Sequence, residues 1–193
     1  MRRLNSVTLL AVLGCACQNV APLRPSQGFA GGPEPAFSPN GVAISTTGGG
    51  TYDAGVIVRF SMSAVQNDLG QAAGEFHHKT ELGGLAVDVS GRVTCMAVDA
   101  VNRRAWIGGV VTANRSAHPG FTTDIHQVGR DVWFRVLDAG EGQAEPDRTT
   151  FLGFEGAAGI ITSAEYCIEK IWPDDPPNAR TSALLNGNIQ VRP

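Results

Sequence analysis

Four histidines, a widely spaced cysteine pair and one acidic loop hold most of the chemistry that this 193-residue chain could do. Asp138, Glu141, Glu145 and Asp147 follow a strand-like stretch on a glycine-containing segment. Several carboxylates on one flexible loop are the hard oxygen donors that calcium takes, although the EF-hand spacing is absent and a solvated surface loop needs the same residues. His77, His78, His118 and His126 could offer imidazole to a transition metal. Neighbouring residues on a strand point to opposite faces, so a site must combine only one of His77 and His78 with His118 or His126. Exposed loop histidines are the default expectation, and no cofactor is implied.

Nucleophilic chemistry leaves less trace. His126 with Asp124 or Asp131 and a serine can be drawn as a triad, but such groupings depend on proximity in space, which sequence order does not give. The chain has no G-x-S-x-G elbow, H-E-x-x-H helix, P-loop or G-x-G-x-x-G turn. Catalytic residues are therefore unassigned. Phe60, Trp106 and Trp133 lie within apolar alternation, where packing in a core or wall explains them first. They are also the candidates for lining a small apolar ligand's pocket in the interior or mouth of a barrel.

The elements that would position these residues read as strands. Val56, Val58, Phe60, Met62 and Ala64 alternate with polar partners, a period of two that marks a strand with one buried face. Asn67 to Gly70 supplies a turn, and Gln71 to His77 returns as the second half of a hairpin. Gly91 to Asp99 and Arg104 to Thr112 form a second pair, with Gly108-Gly109 marking a bulge or sharp bend. Asp131 to Asp138 adds a strand whose Val132, Phe134 and Val136 share a face, and Asn188 to Arg192 closes the series after a Pro-rich loop at Trp172 to Pro177. Phe151 to Ile161 reads equally as strand or loop, and a short helix is expected around Ser163 to Lys170.

Short strands, glycine-rich turns and no strand–helix alternation predict an all-β antiparallel domain over 41–193. A small β-barrel is preferred because of the glycine bends, with a β-sandwich as the near-equal alternative. The formal charge of −3 excludes the basic footprint of nucleic-acid binding.

The N-terminus carries an address. Arg2 and Arg3, an apolar run from Val7 to Leu13 and small residues before a cysteine have the order of a secretory signal over 1–14. Val12-Leu13-Gly14-Cys15 resembles the lipobox of bacterial lipoproteins, which implies a lipid on Cys15; Cys17 is the weaker candidate and ordinary cleavage the alternative. Ala16 after the cysteine implies the outer membrane by the same resemblance. Residues 15–40 hold five prolines with several glycines and read as a tether. Export places Cys95 and Cys167 in an oxidising compartment, where they are expected to pair; two separate buried thiols are the alternative.

Phe60-Ser61-Met62-Ser63-Ala64, Gly91-Arg92-Val93-Thr94-Cys95, Ala105-Trp106-Ile107-Gly108-Gly109-Val110-Val111, Phe134-Arg135-Val136-Leu137-Asp138 and Gly187-Asn188-Ile189-Gln190-Val191 carry a wider likeness. With them the chain resembles a group of uncharacterised secreted bacterial β-rich proteins. That implies a recurrent exported β fold and no reaction. The reading that joins these features is an envelope lipoprotein held by lipid on Cys15, whose β domain binds or builds. Its rivals are a barrel enzyme of isomerase or cyclase type and a calcium-dependent adhesion module on the acidic loop. Ionisable side chains converging on an interior cavity would favour the enzyme.

Overall fold

The computed structural model describes residues 41–122, 126–142, 145–153, 162–173 and 180–193. The expected signal segment 1–14 and the expected tether 15–40 lie outside them.

Eight strands follow one another around a closed antiparallel barrel: β1 (Val42–Asp53), β2 (Ile57–Asn67), β3 (Ala72–Leu82), β4 (Leu85–Asp99), β5 (Arg104–Asn114), β6 (Asp131–Leu137), β7 (Arg148–Thr149) and β8 (Ser182–Arg192). β8 pairs with β1 through Gly48 opposite Ile189 and Gly50 opposite Gly187, which closes the sheet on itself. The seam is tight because it is built of glycine. A Cβ on Gly50 would fall 2.1 Å from the Asn186 carbonyl oxygen, and one on Gly187 would fall 2.0 Å from that of Gly49. The expected barrel is thus realised, and the sandwich is not.

Alternation sorts the faces. On β2, Val58, Phe60, Met62 and Ala64 are buried while Ile57, Arg59, Ser61 and Ser63 are exposed, as period two demands. The partner strand β3 turns Phe76, His78 and Thr80 inward and Glu75, Lys79 and Glu81 outward. With apolar side chains inside and polar ones outside, these strands reverse the pattern by which a barrel sits in lipid. Among the described residues no helix is long and apolar enough to cross a membrane.

The glycine pair on β5 does mark an irregularity, but the extra residue belongs to its neighbour. Val93 pairs with Gly109 and Cys95 with Gly108, leaving Thr94 as the bulged residue on β4. The Phe76 ring lies over the inner side of this corner, so close that a Cβ on Gly91 would fall 2.1 Å from it.

The wall is buried on both sides where a second layer covers it. Helix α1 (Ser163–Glu169) lies outside β4, β5 and β6. A capping box starts it: Thr162 Oγ1 accepts from the Glu165 N–H, and a Glu165 carboxylate oxygen accepts from the Thr162 N–H. Seven residues are too few to hold a helix by hydrogen bonding alone. Its seat is made by the Cys95–Cys167 disulfide and by Asp131, whose carboxylate accepts from both the Ser163 N–H and the Ser163 hydroxyl. Ala97, Trp106, Trp133, Tyr166 and Cys167 form the small core beneath it. Arg135 is fully buried in this layer, donates to the Ile171 carbonyl at 3.2 Å and stacks its guanidinium 4.7 Å from the Trp172 ring centre.

Candidate functional site

The barrel has two unlike ends. One is framed by the β1–β2 turn, the β3–β4 turn, the long β5–β6 connection and the start of β8, and it opens into a cavity of about 440 Å³. Val56, Val58, Leu82, Phe121 and Phe151 give it apolar walls, while Asp53, Thr80, Arg180 and Ser182 add polar groups.

Local sequence builds this mouth. Asp53 Oδ1 accepts from the Gly55 N–H at 2.8 Å, and Gly55 takes the positive φ of +85° that the tight β1–β2 turn requires. Beyond β5, His118 Nδ1 accepts from the Gly120 N–H at 3.1 Å and starts a 3-10 turn over Pro119–Phe121. Asn114 ties that connection back to the end of β5, its Nδ2 donating to the carbonyls of Phe121 at 2.6 Å and His126 at 2.8 Å. Phe121 is thereby held over the opening. On β3, Thr80 Oγ1 donates to the Ile57 carbonyl at 2.7 Å, which takes up its hydroxyl proton.

A run of aromatic rings leads inward from there. Phe121 lies 4.7 Å from His126 and 5.7 Å from Phe151, and Phe151 meets the His78 ring edge-on at 5.8 Å. His78 is 1% exposed. Its other ring neighbours are Phe134 at 5.3 Å, Phe60 at 5.8 Å and Tyr52 at 6.3 Å. His78 Nδ1 lies 3.2 Å from the Tyr52 hydroxyl, which donates to the Thr150 carbonyl at 3.3 Å. The Thr150 carbonyl can only accept, so where both contacts are hydrogen bonds the phenol's one proton goes to Thr150 and Nδ1 carries the hydrogen donated to the phenol oxygen. Nε2 is then a bare acceptor, and among the described residues no hydrogen-bond partner meets it.

Burial sets the charge of these groups. It pulls the His78 imidazole down to about 3, assisted by the neighbouring His77, so His78 is neutral at pH 7. It also pushes the Tyr52 phenol above its ordinary range. His126 is lowered by burial, which outweighs the opposing contact of its Nε2 with the Leu152 carbonyl at 3.4 Å.

The sequence candidates are scattered over different places. Phe60 is in the His78 cage, but Trp106 and Trp133 are on the outer wall under α1, so the three do not line one pocket. Parity explains this: Ala105 and Ile107 face in and leave Trp106 outward, and Val132, Phe134 and Val136 do the same to Trp133. The histidines also depart from expectation. His77 and His78 do face opposite ways, yet His78 and His126 are buried rather than exposed. Outside, His77 Nε2 meets Asp88 at 3.0 Å, with Lys79 at 3.8 Å and Arg115 at 4.0 Å from the same carboxylate. Asp131 is committed to Ser163 on the outer wall, and Asp124 lies outside the described residues.

The acidic loop belongs to the opposite end, where its carboxylates replace a missing strand. β7 is only two residues long, so much of β8 has no neighbour on that side. Asp147 accepts from the N–H groups of Ala139 at 2.9 Å and Ile189 at 2.6 Å, and Asp138 from those of Gly140 at 2.7 Å and Val191 at 3.0 Å. Glu141 meets Gln190 at 3.2 Å, and Glu145 is exposed. Among the described residues no three His, Cys, Asp or Glu side chains are gathered as a metal site. Cys95 and Cys167 are joined, as expected, and Cys15 lies outside the described residues.

Tyr52, Thr80, Phe121 and Phe151 were not singled out from sequence. Strand parity counted from Phe76 was the available signal for the inward placement of His78 and Thr80. The inward ionisable pair, Tyr52 and His78, sits buried among rings, so neither of the two lines the cavity. Comparison with protein-family models, with curated proteins and with solved structures finds no match to this chain.

Proposed function

We propose that the chain is an exported lipoprotein of the bacterial envelope whose barrel binds a small, largely apolar molecule through its mouth. The mouth cavity carries this reading. Its volume lies within the range of small-molecule sites, and apolar walls with a few polar groups are the usual composition of such sites. The rest of the barrel interior is filled by side chains, which gives the cavity rigid walls. The Cys95–Cys167 bond suits an oxidising compartment and so supports export. Lipid on Cys15 would hold the chain to the outer membrane, and the Pro/Gly segment would space the barrel from it.

Two measurements test the two halves. Intact mass of the native membrane-fraction protein is expected to show a diacylglycerol-bearing chain beginning at Cys15; an unlipidated mass would remove the anchor. For the cavity, an uncharged fluorophore such as N-phenyl-1-naphthylamine is expected to bind saturably at one site. Ala54→Trp, on the exposed turn that lines the mouth, should weaken it about tenfold or more. Equal binding by both proteins would place the fluorophore elsewhere and overturn the cavity reading.

A further inference from the structure

Two buried imidazole nitrogens near the mouth lack a hydrogen-bond partner among the described residues, Nδ1 of His126 and Nε2 of His78, and His78 is the more completely buried of the two. A buried side-chain nitrogen without a partner is costly and uncommon in native proteins. The ring is otherwise fully determined, with Nδ1 held by the Tyr52 hydroxyl and its faces and edges met by Phe60, Phe134 and Phe151. Packing alone would be served as well by a phenylalanine. The cavity and the cage share a boundary: Phe151 lines the cavity and touches His78, and Thr80, another lining residue, lies two positions along β3 on the same inward face. Phe151 is only partly buried, so its ring can turn with less loss of packing than the fully buried rings around His78.

We infer that the ligand of the mouth cavity is an uncharged, apolar molecule bearing one hydrogen-bond donor, a hydroxyl or N–H, which it delivers past Phe151 to Nε2 of His78. This rests on the cavity reading and extends it to a ligand class. The neutral imidazole offers a lone pair and no charge, so it selects for a donor without requiring an anion. A cationic ligand would lose its hydration among aromatic and aliphatic walls, and the one carboxylate among the described lining residues, Asp53, is exposed rather than buried beside them. An acceptor-only molecule would meet the lone pair of Nε2 with its own.

The test uses two probes of one shape, 1-naphthol and naphthalene, with the full chain. Saturable binding of both is expected, with naphthol preferred by up to about tenfold, the scale of one net hydrogen bond. Histidine ring ¹⁵N resonances should identify His78 Nε2 as the nitrogen that moves with naphthol and not with naphthalene. In His78→Phe the preference should collapse toward unity while naphthalene binding is kept. If both probes bind and Nε2 does not respond, the ligand stops at the mouth; the cavity reading survives and this inference falls. Failure of both probes to bind would overturn the cavity reading itself. The ring resonances are read on the unsubstituted protein, so the outcome does not depend on how well His78→Phe folds.

Discussion

The two ends of the barrel use polar side chains in opposite ways. At the end opposite the mouth Asp138 and Asp147 spend their carboxylate oxygens on backbone N–H groups of β8 and the β6–β7 connection, and the acids that look most like a binding loop are the mortar of the sheet. Behind the mouth residue Phe151, His78 holds one ring nitrogen with no partner among the described residues. A polar residue points to function by the bonding capacity left over after folding, and type and clustering do not show that remainder.

The sharpest way to break this comparison is Asp147→Ala. It strips two charge-assisted bonds from the Ala139 and Ile189 N–H groups and is expected to cost about 3–5 kcal/mol, read from urea unfolding. A loss below 1 kcal/mol would return the loop to the solvated class. Next comes the double variant Cys95→Ala/Cys167→Ala, expected to lose about 2–4 kcal/mol through freedom regained by the unfolded chain. Because the bridge fastens α1 to the outer wall, fluorophore binding at the mouth should be unchanged; a parallel loss of binding would couple the outer layer to the cavity.

Acid addresses the mouth in particular. The folded His78 titrates at about 3 and its unfolded counterpart near 6.5, so between these values the unfolded chain binds more protons and stability falls as pH falls. The contribution is complete above pH 6.5, and about 2 kcal/mol of it should be gone by pH 5. His126 is shifted the same way and adds to the slope. His78→Phe should flatten most of this dependence between pH 7 and 5; an unchanged slope would mean that His78 is not the buried neutral group. The smallest effect is expected from calcium. With Asp138 and Asp147 engaged by backbone N–H groups, millimolar calcium should leave the melting temperature where it is, whereas a site specific to the native state would raise it.

Much of the wall was legible because alternation is a local property. β2 and β6 show their inward residues in period two, and the helix at Ser163–Glu169 starts where expected. β1 escaped notice because Thr46 to Thr51 offers small and glycine residues with little apolar alternation, and it is a strand because β2 and β8 flank it on both sides. β8 begins at Ser182, well before the Asn188 expected, for the same reason: exposed Asn186 to Asn188 carry no inward signal and are held by pairing with β1. The Phe151 to Ile161 stretch lies mostly outside the described residues, as does most of the Pro-rich loop at Trp172 to Pro177.

The sequence by itself determined that the domain is β-rich, which residues share a face on its clearest strands, and that Cys95 and Cys167 were available to each other; each follows from local periodicity or from residue type. Only the tertiary structure decided that the sheet closes, because closure requires β1 and β8, the strands with the weakest local signal, to meet across glycines. It also decided that Trp106 and Trp133, outward by strand parity, are buried, since a helix from far along the chain covers that wall, and that His78 Nε2 meets no partner among the described residues. Burial and hydrogen bonding are sums over neighbours brought from every strand, and no single stretch of chain contains that sum.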